Sequence, residues 1–192
     1  MRYSENIITG IAVTLCLIIV YSLALPLYLL PASGQHHGAL PPAASIDDRN
    51  ISLDFKTLPS PVKTNQDTEM KIGFVDEKAK KNVNHVTFRM DISKDGRSLL
   101  SEFFHSHEGT VNLLFKGNIN SASTPKYTVG ATSDVLTNAW IADPGSPIIV
   151  RGGEILSQLG TYKTVIEVTT MDNDKTDLPQ PIKYEFDIPV LQ

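Results

Sequence analysis

The sequence predicts an all-β protein: an antiparallel β-sandwich preceded by one N-terminal transmembrane helix. Three observations carry this reading. From Asn50 onward, apolar residues recur at alternate positions in about eight short runs, the period of strands with one buried face. Turn-forming residues separate the runs, and no long amphipathic helix pattern follows Leu30. Ahead of them lies a continuous uncharged apolar stretch, residues 7–30.

At ~1.5 Å per residue, 7–30 is long enough to cross a hydrocarbon layer of ~30 Å, and it exceeds the roughly 7–15 residues of a signal-peptide core. Arg2 precedes it and no Lys or Arg follows until Arg49. The positive-inside bias therefore puts residues 1–6 in the cytoplasm and the rest outside, as a single-pass protein of the cell membrane. Ala32-Ser33-Gly34 is an acceptable cleavage site, so a cleaved signal peptide is the alternative to an uncleaved anchor. Residues 31–49 are rich in Pro, Ala, Ser and Gly and read as a flexible linker. The one cysteine, Cys16, lies inside the apolar stretch, which rules out a disulfide within the chain and a cysteine-based zinc site. A net charge of −4, with no basic run interleaved with aromatics, argues against nucleic acid.

The domain is expected to span 50–192. Ile51, Leu53 and Phe55 alternate in a first strand that Pro59 and Pro61 close; Met70, Ile72 and Phe74 mark a second. Val86, Phe88, Met90 and Ile92 form a third. Lys94-Asp95-Gly96-Arg97 then supplies a hairpin turn, because Asp-Gly takes positive φ readily. Leu99 to Phe104 returns and stops at His105-Ser106-His107-Glu108-Gly109. Val111, Leu113 and Phe115 follow. Residues 117–146 read as an irregular excursion, with Ser133 placed to cap a short helix leading to Trp140. Trp140, the only tryptophan, is either a lid on the core or a partner contact. Ile148 to Val150, then Tyr162, Thr164, Ile166 and Val168, then Tyr184, Phe186 and Ile188 complete the strands. The acidic run from Asp172 to Asp177 lacks the glycine and closing glutamate of a calcium loop and reads as a hairpin tip. The inward set is Leu53, Phe55, Ile72, Phe74, Phe88, Met90, Ile92, Val111, Leu113, Phe115, Tyr162, Ile166, Val168, Phe186 and Ile188.

Gly160-Thr161-Tyr162 resembles the tyrosine corner of immunoglobulin-like sandwiches. Together with ISLDF at 51–55, HVTFRMDISKDGRSLLSEFFHSHEG at 85–109 and GTYKTVIEVTT at 160–170, it makes 50–192 resemble the membrane-anchored or secreted immunoglobulin-like β-sandwich proteins of ammonia-oxidising archaea. That resemblance implies an extracytoplasmic immunoglobulin-like sandwich. For an anchored member it implies an accessory subunit of a large membrane enzyme, with the copper-dependent ammonia monooxygenase complex as the candidate. The copper subunit of that complex has its own His-x-His segment, but the motif around it is missing here, so no ligand is carried over.

His105 and His107 are the sequence's main chemical signal. Residues two apart on a strand share a face, and imidazole suits copper or zinc. His85 or Glu108 would supply a third ligand. The alternative is structural, with strand-end histidines hydrogen-bonding a neighbouring loop. His36 and His37 would form an N-terminal copper site only after cleavage behind Gly34. No nucleophile elbow or phosphate loop occurs, and paired carboxylates fall only in loops. The expectation is a non-catalytic extracytoplasmic interaction or accessory subunit, with the lipid bilayer and other membrane-protein subunits as partners. The alternative is a copper-binding or copper-delivery protein using the His-x-His site.

Overall fold

The computed structural model describes residues 40–46, 48–117, 126–135 and 137–192. The expected transmembrane segment, most of the linker, His36 and His37 lie outside the described residues. Among the described residues no helix is long and apolar enough to cross a membrane.

The strands form two sheets. One runs in the order β1 (Ala44–Ile46), β2 (Arg49–Leu58), β4 (Thr68–Asp76), β8 (Thr110–Phe115), β12 (Ile148–Gly152) and β9 (Tyr127–Gly130), with β5 (Lys81–Asn82) also on β4. The other runs β10 (Ser133–Asp134), β11 (Ala139–Ile141), β7 (Arg97–Ser106), β6 (Val86–Lys94), β13 (Gly160–Thr170), β14 (Asp177–Leu191) and β3 (Val62–Lys63). The long pairings are antiparallel, as expected. Three short ones, β8 with β12, β7 with β11 and β14 with β3, are parallel.

Alternation packs the inner faces together in a β-sandwich. Every member of the expected inward set is buried except Phe55, which is half-buried and stacks on Phe186 with ring centroids 4.5 Å apart. Phe74 meets Phe88 across the sheets at 5.2 Å, and Phe88 meets Phe104 at 5.7 Å. Each such side chain contributes ~1.5–3 kcal/mol by leaving water. Tyr184 is also fully buried, because its hydroxyl donates across the core to the Ile51 carbonyl (2.7 Å). Tyr162 is fully buried too. Its hydroxyl donates to the Gln158 carbonyl (3.2 Å) and accepts the Gln158 amide (3.0 Å), a tyrosine-corner geometry.

The β6–β7 hairpin turns where the sequence places it, with Asp95 at φ 52° and Gly96 at φ 78°. This turn fixes the register. Val86 faces Ser106, Phe88 faces Phe104 and Met90 faces Glu102 on the core side. Thr87 and His105 therefore share the outer face. At the far end, Gly109 (φ 70°) lies so close to Val83 that a Cβ there would meet the Val83 oxygen at 1.8 Å. Only glycine permits this approach, which presses the turn carrying His107 against the segment leading to His85.

Two expectations are corrected. The linker does not run to Arg49, because Ala44–Ile46 already pairs with Arg49–Ile51. Ser133 caps no helix. Ser133 and Asp134 pair with Trp140 and Ala139 in a small hairpin, since β11 gains a sheet partner in β7 that a lone helical turn would forgo. The described part of 117–146 thus holds three short strands on the sheet margins.

Candidate metal centre

Four side chains converge at the end of the sheet formed by β7, β6, β13 and β14. His105 comes from β7, and His107 follows it in the turn. His85 stands one residue before β6, and Asp174 sits in the β13–β14 connection. One ligand atom from each lies within 4.8 Å of all the others.

The backbone positions these groups before any ion is considered. The His85 amide donates to the His107 carbonyl (3.1 Å), and the Asp172 amide donates to the Asn84 carbonyl (2.9 Å). The three ligand-bearing segments are thus tied side by side. His85 adopts φ 50° and Asp172 φ 61°, left-handed conformations that non-glycine residues take at some cost. The Asp172 carboxylate is held by Arg49, which also bonds Asp76 through Nε (2.7 Å). At the tip, the Lys175 amide donates to Asn173 Oδ1 (2.9 Å) and shapes the turn that aims Asp174 inward.

The contacts run around a ring. His85 Nδ1 lies 3.3 Å from His107 Nδ1, which lies 3.3 Å from His105 Nε2. His105 Nε2 is 3.6 Å from Asp174 Oδ1, and Asp174 Oδ1 is 3.0 Å from His85 Nδ1. Across the ring, His107 Nδ1 and Asp174 Oδ2 are 4.0 Å apart. A four-coordinate ion with bonds of about 2.0–2.1 Å separates its ligand atoms by about 3.3 Å in a tetrahedron. In a square the edges are about 2.9 Å and the diagonals about 4.1 Å. The four ring edges, 3.0–3.6 Å, are of the size that neighbouring ligands of a four-coordinate ion adopt in either geometry.

His105 is the anchor. It lies on the outer face yet is fully buried, with its carbonyl accepting from the Ala142 amide just after β11 (2.9 Å). Its Nδ1 contacts Thr87 Oγ1 at 2.9 Å, which leaves Nε2 facing the cluster. Thr87 is fixed in turn. Its amide donates to Thr170 Oγ1 (3.2 Å) and its carbonyl accepts from Thr169 Oγ1 (3.3 Å), around a bulge in β13. Bulges beside functional sites commonly re-aim side chains in this way. Burial lowers the His105 pKa below its ordinary value. Asp174 opposes that shift, and the neighbouring histidines reinforce it. The neutral imidazole is the form that binds metal.

The structure therefore brings together His85, His105 and His107. Glu108, the other third ligand considered, is exposed in the turn and outside the cluster. The sequence does not single out Asp174, because its acidic run looks like an ordinary hairpin tip. The signal that links it to the histidines is topological. In antiparallel neighbours, the end of β13 and the start of β6 lie at the same end of the sheet. Trp140 is half-buried against the core and donates from Nε1 to Glu102 Oε2 (2.9 Å). Glu102 also accepts from the hydroxyl of Tyr127 on the opposite sheet (2.8 Å).

Comparisons of the chain with protein-family models, curated proteins and solved structures give no match. The resemblance to archaeal sandwich proteins thus rests on the residues quoted above.

Proposed function

We propose that this immunoglobulin-like sandwich is a copper-binding module. It holds one copper(II) ion through His85, His105, His107 and Asp174 on a domain that residues 7–30 anchor outside the membrane. It serves a larger membrane assembly by holding or supplying the metal and catalyses no reaction itself. The observation that carries the reading is the convergence of three imidazoles and one carboxylate within 4.8 Å on a prearranged backbone. Copper is favoured over zinc because divalent copper tops the affinity order for nitrogen-rich sites. The test is metal content after loading the full-length protein with copper and zinc together, followed by desalting. One copper per chain should be retained in wild type and lost in the His105→Ala, His107→Ala double variant. Equal retention in the two proteins, or none in wild type, would overturn the reading.

A further inference from the structure

A groove of about 470 Å³ lies beside the cluster, bounded by residues including Thr87, Phe103, Thr137, Thr170, Asp174 and Asp177. It touches the centre at two points, through Asp174 and through the threonine that orients His105. Three of the four donors also face solvent. The His85, His107 and Asp174 side chains are 44%, 57% and 32% exposed, against 0% for His105. A closed structural site surrounds its ion, whereas a ring of donors exposed on one side leaves a coordination position open. Resting on the copper reading above, we infer that this position takes a small external monoanion of the carboxylate type, which enters along the threonine groove.

Charge and hydrogen bonding both select that class. Three neutral imidazoles and one carboxylate leave a divalent ion with one net positive charge, so an anion is drawn to the ion itself, against the Asp177 carboxylate that also lines the groove. Thr170 Oγ1 accepts the Thr87 amide, and a hydroxyl that accepts one bond keeps its own proton to donate. It can therefore offer that proton to an oxygen of the bound anion. The groove is large enough for a small organic acid, since ligand pockets begin at about 300 Å³. Thr137 sits at the rim on the β10–β11 turn. It bonds Asp134 (3.1 Å) and belongs to none of the ligand-bearing segments.

The test uses azide, a spectroscopically visible monoanion, with acetate as competitor, on the copper-loaded full-length protein. A saturable azide-to-copper charge-transfer band should appear, and acetate should displace it. Thr137→Trp, which fills the rim, should keep its copper and weaken azide at least tenfold. On wild type alone, a series of carboxylates of increasing bulk should lose affinity once they outgrow the groove. That series stands if the tryptophan variant does not fold. A copper-loaded protein that ignores azide overturns the inference while leaving the metal site intact. So does equal azide binding in the variant, or indifference to carboxylate size. A protein that retains no copper removes both readings.

Discussion

On the core-facing side of β7, Glu102 accepts hydrogen bonds from Tyr127 and Trp140. On the outer side, His105 meets His85, His107 and Asp174. Both clusters are polar, both join distant segments, and both sit beside the 133–141 hairpin. They differ in what can close them. The indole N–H of Trp140 can only donate and a carboxylate only accept, so the inner cluster is complete as it stands and clasps the two sheets together. Each imidazole of the outer cluster turns one ring nitrogen toward the others, and that nitrogen can hold a lone pair for a metal. Polar burial alone therefore says little about function. The informative feature is whether the converging atoms hold lone pairs that an ion can use.

The largest effect that sharpens this contrast is on affinity. His105→Ala should lower copper affinity by more than ~100-fold, because it removes the one fully buried donor along with its orientation by Thr87. Thr87→Val keeps all four ligands but frees the His105 ring, and should cost ~10-fold. Isothermal titration calorimetry separates the two variants. If Thr87→Val is as damaging as His105→Ala, the threonine does more than orient.

Stability should then split the clusters cleanly. Copper at ~100 times its dissociation constant stabilises the folded state by ~2.7 kcal/mol, which raises Tm by roughly 5–10 °C for a chain of this size. Asp174→Asn should lose most of that increment, read by differential scanning calorimetry. Trp140→Phe should behave in the opposite way. It should destabilise the metal-free protein by ~1 kcal/mol, since Glu102 loses a half-buried partner, and leave copper affinity unchanged. A Trp140→Phe protein that fails to bind copper would show the two clusters to be coupled.

The smallest effect is on pH. Burial holds the folded-state pKa of His105 below its unfolded value of about 6.5. Below that pH the unfolded chain takes up a proton that the folded chain refuses. The stability contributed by neutral His105 is present above about pH 6.5 and is lost as pH falls toward the folded pKa. Urea unfolding of metal-free protein should show this acid-side loss in wild type and a shallower one in His105→Gln.

Much of the sandwich is legible in the sequence, because alternation writes the buried face directly. Phe88, Met90 and Ile92 read as inward and are inward, and Asp95-Gly96 reads as a turn and is one. Short edge strands such as Ser133–Asp134 leave no such trace. Two residues carry no period, and their pairing depends on β7 being at hand. The metal centre is half legible. His105 and His107 announce themselves by spacing, and their two rings do meet edge-on with centroids 4.6 Å apart. Asp174 belongs to the site only through the antiparallel return of β13 against β6, and local sequence does not encode that long-range fact.

The central claim is that the outer cluster, not the linker, holds the metal. Pulsed electron paramagnetic resonance on full-length protein carrying one copper(II) per chain tests it most directly. Nitrogen couplings from three imidazoles should appear in wild type, matching His85, His105 and His107, and should vanish or change in His105→Ala. A wild-type spectrum that persists unaltered in His105→Ala would place the copper elsewhere in the chain and contradict the account.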